Sequence, residues 1–120
     1  MTVTTRIHLS EQALESIAGR FRSLSEPVRL KIIRLLEEGE MSVGQLVDRL
    51  NTSQANVSKH LKVLVDAGIL SRRTQGTSAF YSICDPVILK ICDAVCNSMA
   101  DKIKAQAQGF GLRVSPHRRS

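Results

Sequence analysis

The fold is decided by residues 42–68, which read SVGQLVDRLNTSQANVSKHLKVLVDAG. Ser42 and Gln45 stand three positions apart, which is the spacing of a capping box, in which each side chain satisfies a backbone N–H group at the start of a helix. A short helix is therefore predicted from this point to about Leu50, where residues 51–52 interrupt it.

A second helix is predicted to follow at once in the same stretch. Ser53 has the side chain of an N-cap, and Gly68, which tolerates a left-handed backbone, marks the stop after about Ala67. Two helices joined by a short turn, the second with small polar and basic residues, form a helix-turn-helix. The side chains of the second helix that are expected to face inward are Val57, Leu61, Leu64 and Val65.

Two further helices are predicted on the N-terminal side. Ser10 caps the first, which ends near Arg22, and Pro27 stands in the first turn of the second, a position that suits proline. The second of these helices has too many apolar side chains for one stripe, so it is expected to be largely buried at the centre of the core. Those side chains are Val28, Leu30, Ile32, Ile33, Leu35 and Leu36.

The apolar pattern changes its period on the C-terminal side. Residues 69–74 and 78–83 are predicted to form two short strands around a turn at 75–77. A hairpin directly after a helix-turn-helix is the wing of a winged helix. The predicted fold is therefore mostly α-helical with a small β-hairpin wing, in the order α-α-α-α-β-β-α.

A long last helix is predicted to begin at residues 85–86 and to end at Gly109 and Gly111. Its apolar side chains keep a spacing of three and four residues over several turns. We therefore expect an N-terminal arm at 1–9, one winged-helix domain at 10–108 and a basic flexible tail at 109–120. The apolar side chains of the last helix are Val87, Ile88, Ile91, Cys92, Val95, Cys96, Met99 and Ile103.

The positive charge of the chain is concentrated in two segments. The 120 residues include 17 Lys and Arg against 11 Asp and Glu, a formal net charge of +6. The excess lies in residues 51–84 and in the tail 113–120, whereas the rest of the chain is balanced. An uneven excess of this kind indicates a polyanionic partner. The basic residues concerned are Lys59, Lys62, Arg72 and Arg73, and in the tail Arg113, Arg118 and Arg119.

Composition excludes several classes of protein. No apolar run approaches the roughly 18 residues of a membrane span, and the first residues lack the apolar region of a signal peptide. Aromatic residues are only 3% of the chain, which disfavours RNA and single-strand binding by base stacking. Three cysteines without an export signal indicate free thiols in a reducing compartment, so a cytoplasmic protein is expected. The chain contains neither a nucleophile motif nor a phosphate-binding glycine loop, so an enzyme is not expected.

The exposed face of the helix that begins at Ser53 has the side chains needed to read double-stranded DNA. Gln54 suits adenine, Ala55 a thymine methyl group, and Ser58 a base edge or a phosphate. Basic residues and the helix N-terminus suit phosphates, and wing arginines suit the minor groove. A solvated helix face beside a surface hairpin is the simpler alternative; charge, caps and hairpin together favour DNA. The predicted contacts are Thr52, Ser53, Gln54, Ala55, Asn56, Ser58, Lys59, Lys62, Arg72, Arg73 and Gln75.

Several separated segments stand in an informative order: LSEPVRLKII at 24–33, SVGQL at 42–46, SQANVSKHLKVL at 53–64, AGIL at 67–70, FYSI at 80–83 and DP at 85–86. With these segments the sequence resembles the ArsR/SmtB family of winged-helix repressors over about residues 10–105. The resemblance implies a homodimer formed by the first and last helices. It also implies a palindromic DNA operator, and release by an inducer that is usually a metal or metalloid.

The metal sites of that family do not carry over to this chain. The positions of the family's three arsenite-binding cysteines are Ser42, Gly44 and Val47. The family's zinc site pairs an Asp-x-His with a His-x-x-Glu or His-x-x-His motif, and here both imidazoles are missing. Zinc prefers nitrogen and sulfur donors, so two carboxylates alone form a poor zinc site. The corresponding positions are Asp85 and Val87, and Ser98 and Asp101.

The three cysteines, Cys84, Cys92 and Cys96, leave three interpretations open. Cys92 and Cys96 lie four residues apart on one helical face, so their thiolates can converge on a soft ion such as As(III), Sb(III) or Cd(II). Cys84 is then a third donor from the same or the partner chain. The alternatives are oxidation or persulfide chemistry between subunits, and simple packing of small apolar residues.

His60, inside the second helix of the predicted helix-turn-helix, is expected to pack or to contact phosphate.

The sequence therefore predicts a cytoplasmic, homodimeric repressor that binds an operator in double-stranded DNA and is released by a thiol-reactive inducer. No cofactor is required for this function. A redox or persulfide-responsive repressor and an inducer-independent regulator are the nearer alternatives. A protein-interaction module that uses the last helix is the alternative from another class.

Overall fold

The computed structural model describes residues 8–106, in which the chain forms five α-helices and three short strands. The chain divides between Asp85 and Pro86 into two compact units, the first with α1–α4 and the strands, the second with α5. None of the helices within residues 8–106 is long and apolar enough to span a bilayer. The elements are α1 (Glu11–Arg22), α2 (Pro27–Leu36), β1 (Met41–Ser42), α3 (Val43–Leu50), α4 (Gln54–Asp66), β2 (Leu70–Gln75), β3 (Ser78–Ile83) and α5 (Val87–Gln106).

Local capping interactions place the helix starts where the sequence predicts them. The Ser10 hydroxyl accepts the N–H of Ala13 at 3.0 Å, and Pro27 is the first residue of α2. The stops agree as well: Asn51, with φ 59°, ends α3 in a left-handed conformation, and Gly68, with φ 78°, follows α4. These interactions join residues at most four apart, which is why the pattern alone predicts them.

The sheet contains a strand that the sequence analysis missed. β2 and β3 form the predicted hairpin around Gly76, in register from Leu70 opposite Ile83 to Gln75 opposite Ser78. In addition, β1 pairs antiparallel with β3, so the strand order is β1-β3-β2. A strand of two residues has no readable alternation, and its partner is distant in the chain, so only the folded structure reveals it.

The core of the first unit is formed by α2, α3, α4 and the sheet. Each of these elements contributes some apolar side chains that are at most 8% exposed, and truncation of one such side chain to alanine typically costs about 2–5 kcal/mol. These side chains are Leu24, Ile32, Ile33, Leu36, Leu46, Val57, Leu61, Leu64, Ile69, Leu70 and Tyr81.

The prediction that α2 is largely buried was wrong for part of the helix. Ile32, Ile33 and Leu36 are buried, whereas Leu30 is 40% exposed and lies with Leu35 in a shallow surface groove. A helix of ten residues turns one face to the core, so its surplus apolar side chains lie on the other face.

The first and last helices both expose apolar side chains. Nothing in α1 is fully buried, and Leu14, Ile17 and Phe21 form an exposed stripe along it. In the second unit, α5 exposes Val95 and Met99 one turn apart. The predicted arm up to residue 7, the helix end at Gly109 and Gly111 and the basic tail lie outside the described residues.

Candidate nucleic-acid interface

Helix α4 presents an exposed polar face because its other face is fixed in the core. Val57, Leu61 and Leu64 are completely buried, and His60 is 6% exposed. Helical periodicity then turns the intervening positions outward. The exposed side chains are Gln54, Ala55, Ser58, Lys59 and Lys62, the same set that the sequence analysis predicts on this face.

The N-terminus of α4 is organised by two hydrogen bonds between residues three or four apart. The Ser53 hydroxyl accepts the backbone N–H of Asn56 at 3.1 Å, and the Asn56 side-chain amide donates to the Thr52 hydroxyl at 3.2 Å. Asn56 is half-buried, and its amide helps to hold this turn. The remaining N–H groups of the first turn still provide a partial positive charge suited to a phosphate.

Lys62 lies near the other end of the exposed face. Its ammonium is 3.1 Å from a carboxylate oxygen of Asp66, one turn later, and both side chains are more than 60% exposed. An ion pair this exposed is worth only about 0.2–1 kcal/mol, so a DNA phosphate can compete for the ammonium.

The wing carries the other predicted contacts, and the structure gives the two arginines different surroundings. Arg72 is exposed, and its Nε donates to the Tyr81 hydroxyl at 3.1 Å. Arg73 is bound to the Glu40 carboxylate through Nε at 2.9 Å and Nη2 at 2.8 Å. Its Nη1 donates to the side chain of Gln75 at 2.8 Å. Glu40 was not among the predicted site residues, because a loop glutamate has no local signal that identifies its partner.

His60 is a packed residue that links α4 to α2. Arg29 Nη1 donates to His60 Nδ1 at 3.1 Å, so the imidazole is neutral and Nδ1 is the acceptor. Burial, followed by the positive charges of Arg29 and Lys59, lowers the pKa of His60, against a smaller opposite effect of Glu26. Of the two predicted roles, the structure supports packing.

The cysteines are found as thiols in two parts of the chain. Cys84 is exposed and donates to the carbonyl oxygen of Gly68 at 3.4 Å. In α5, Cys92 is half-buried and Cys96 is exposed. Within residues 8–106 of a single chain, no group of three or more His, Cys, Asp or Glu side chains is arranged to hold a metal ion.

Comparisons with known proteins show the family to which the chain belongs. Residues 26–72 match the family described as bacterial regulatory protein, arsR family. The chain is 37% identical over 91 residues to a probable mercury resistance operon repressor of Streptomyces lividans, covering 72% of this chain and 73% of that protein. It is 34% identical over 93 residues to the repressor SmtB of Mycobacterium tuberculosis, covering 77% and 69%.

Solved structures show the same similarity. The crystal structure of M. tuberculosis Rv0081 superposes with a TM-score of 0.73 at 31% identity, covering 81% of this chain and 98% of that one. The repressor BigR from Xylella fastidiosa superposes with a TM-score of 0.63 at 32% identity, covering 71% and 87%.

The fold and the exposed helix face define a winged helix-turn-helix DNA-binding regulator. The chain belongs to the ArsR family, and within it to the transcriptional repressors, which are not enzymes.

Proposed function

We propose that the chain is a homodimeric repressor that reads a palindromic operator with α4 in the major groove. The observation that carries the proposal is the exposed face of α4, capped at Ser53 and held by three completely buried side chains on its other side. A B-DNA major groove of about 12 Å admits one such helix, with its N-terminal turns entering first.

The proposed contacts follow from the chemistry of each side chain. Gln54 binds adenine through two hydrogen bonds, Ala55 contacts a thymine methyl group and Ser58 contacts a base edge or a phosphate. Phosphates are bound by the first turn of α4 and by its two lysines. In the wing, side chains reach the flanking minor groove. The phosphate contacts are Thr52, Ser53, Asn56, Lys59 and Lys62, and the wing contacts are Arg72, Arg73 and Gln75.

The proposed dimer rests on the apolar stripes of α1 and α5. Leu14, Ile17 and Phe21 are 46%, 42% and 55% exposed, and Val95 and Met99 are 54% and 51% exposed. Contiguous exposed apolar stripes of this kind mark interaction surfaces. A twofold dimer would place two α4 helices in successive major grooves, about 34 Å apart on the DNA.

The decisive experiment is a titration of DNA from the chain's own promoter region by fluorescence anisotropy. Gln54→Ala with Lys59→Ala is expected to weaken binding about 10- to 100-fold, because one good base contact is worth about 1–3 kcal/mol. Loss of one phosphate contact should also reduce the slope of log affinity against log salt by about 1.

A matched control removes the same two side-chain types elsewhere. Gln12→Ala with Lys90→Ala changes exposed residues on α1 and α5, away from the apolar stripes, and should leave affinity within about twofold. Equal affinities for both double variants would refute α4 as the reading helix. Co-purification with a different protein and no DNA binding would instead favour the interaction module.

We further propose that the inducer acts on the cysteines, with As(III), Sb(III) or another soft ion held by Cys92 and Cys96 and with Cys84 of the same or the partner chain as the third donor. The spacing supports this, since positions four apart on a helix are neighbours and thiolates prefer soft ions. The names of two similar proteins also support a soft-ion inducer: one is a probable mercury resistance operon repressor and the other a possible transcriptional regulator for arsenical resistance. Oxidation or persulfide formation at the same cysteines is the competing chemistry.

Operator release separates these chemistries. Addition of As(III) or Sb(III) should release DNA from the unsubstituted protein and leave Cys92→Ser/Cys96→Ser bound, while Cys84→Ser tests the third donor. Release only by an oxidant or a persulfide donor would identify redox sensing. Full release of the double serine variant would refute a cysteine inducer site. Failure of every agent on the unsubstituted protein would indicate an inducer-independent regulator.

A further inference from the structure

The sheet brings three side chains from distant parts of the chain onto one face. In the order β1-β3-β2, Phe80 on the central strand is opposite Ser42 on one side and Arg73 on the other. Glu40 is two residues before Ser42, so the alternation of an extended chain turns both toward the same face. The Glu40 carboxylate therefore reaches across the sheet to the guanidinium of Arg73.

Arg73 is held there by more than one interaction. Two parallel hydrogen bonds of 2.9 and 2.8 Å join it to Glu40, and a third of 2.8 Å goes to Gln75. Its guanidinium carbon lies 4.8 Å above the centre of the Phe80 ring, which adds a cation–π attraction. These three hydrogen bonds use three of the five N–H groups of the guanidinium, which leaves two for any other acceptor.

In the absence of DNA, the positive charge of Arg73 is balanced by the carboxylate of Glu40. The hydrogen bond between the two groups lowers the pKa of Glu40 and raises the pKa of Arg73, so both remain ionised at neutral pH. The two side chains are 50% and 36% exposed, so a phosphate can approach them. Because the Glu40 carboxylate balances the charge of the guanidinium and occupies two of its N–H donors, a phosphate gains less from Arg73 than from an arginine without such a partner.

We propose that Glu40 sets the strength of the wing's contact with DNA by holding Arg73, so that the operator is bound less tightly than the basic residues of the wing would otherwise allow. This inference rests on the proposed function. Glu40 would act through Arg73 and would not itself contact DNA. Such a limit on affinity would make dissociation of the repressor from its operator easier.

The test is Glu40→Gln, which keeps the size of the side chain and one carbonyl acceptor but removes the charge. On an operator fragment at about 0.1 M salt we expect about 3- to 10-fold tighter binding, and a slope of log affinity against log salt steeper by up to about 1. Arg73→Ala should weaken binding in the natural background, but by less than it does in the Glu40→Gln background, because Glu40 already limits the contact that Arg73 makes. In the Glu40→Gln background it should remove the whole gain.

Glu38→Gln is the matched control, because Glu38 is an exposed acid of the same loop and its loss changes the net charge equally. Equal strengthening by Glu38→Gln and Glu40→Gln would overturn the proposal, since general charge would then explain the effect. So would an equal cost of Arg73→Ala in both backgrounds, or weaker binding by Glu40→Gln, which would make Glu40 a residue that aims Arg73 at the DNA. Thermal unfolding of each variant checks that the wing remains folded.

The two proposals fail in distinguishable ways. If the unsubstituted protein does not bind the promoter fragment, the proposed function and this inference fall together. If the unsubstituted protein binds and loses affinity on Gln54→Ala with Lys59→Ala, the contrary results for Glu40 overturn this inference alone.

Discussion

At the scale of single residues, His60 shows how one side chain joins α4, the helix proposed to read DNA, to α2. It lies on α4 among the outward-facing residues in sequence, yet its ring is 6% exposed and accepts a hydrogen bond from Arg29 on α2. A protonated ring would lose that bond and would face the positive charge of Arg29. The neutral ring is therefore part of what holds α4 in place.

This arrangement predicts a stability that falls with acidification. Because the pKa of His60 in the folded chain is below its ordinary value of 6.5, folded and unfolded chains are both neutral at this site well above pH 6.5. As pH falls from about 6.5 toward the folded pKa, the unfolded chain takes up a proton that the folded chain does not, so the free energy of unfolding decreases. Urea denaturation at several pH values should show this decrease.

His60→Asn is the variant that tests the assignment. Its amide oxygen can replace Nδ1 as the acceptor, but the side chain does not titrate. The dependence of the unfolding free energy on pH between 5 and 6.5 should be shallower than for the unsubstituted protein, by at most about 1.4 kcal/mol per pH unit for one proton. Identical pH dependence in both proteins would contradict the role given to His60.

At the scale of elements, helix α3 begins directly after strand β1 ends. Ser42 is the last residue of β1 and also the N-cap of α3. Its hydroxyl accepts the N–H of Gln45 at 3.2 Å, and its own N–H donates to the Gln45 side chain at 2.8 Å. The capping box therefore fixes the helix relative to the sheet as well as starting it.

Ser42→Ala is expected to lower the free energy of unfolding by about 1 kcal/mol, because the N–H of Gln45 loses its acceptor. Ser42→Thr should recover most of the loss, since threonine can cap the helix and suits a strand. Ser16→Ala, at an exposed position inside α1, is the control and should change stability by less than about 0.5 kcal/mol. Urea denaturation measures all three, and equal effects of the two alanine variants would rule out a capping contribution.

At the scale of the whole molecule, the apolar stripes of α1 and α5 are exposed in the single chain. The stripe of α1 consists of Leu14, Ile17 and Phe21, all more than 40% exposed. Burial of apolar area contributes about 25 cal/mol per Å², so covering these side chains in a dimer is favourable. If the proposed dimer forms, its association is therefore coupled to its affinity for an operator with two half-sites.

Phe21→Asp with Met99→Asp is expected to convert a dimer to a monomer in sedimentation equilibrium. Affinity for the operator should fall by at least about 100-fold, because the two half-sites are then bound independently. Ser16→Asp with Asn97→Asp places the same charges on exposed positions away from the stripes and should leave both properties nearly unchanged. A monomeric unsubstituted protein, or an aspartate variant at Phe21 and Met99 that still dimerises, would contradict the proposed interface.

The sequence by itself determined the features that depend on residues within one helical turn of each other. The caps at Ser10, Ser42 and Ser53 and the stop at Gly68 predict the helices closely, and the apolar period of α4 predicts which of its side chains face outward. These features depend on hydrogen bonds and spacings between residues three or four apart, so the local pattern contains all the information needed.

Only the tertiary structure decided which side chains meet across the chain. Glu40 and Arg73 are 33 residues apart, and Arg29 and His60 are 31 apart, yet both pairs are in hydrogen-bond contact. The strand β1 and the exposure of Leu30 likewise depend on which elements pack together. No local period encodes such contacts, because they form when burial of the core fixes the elements in space.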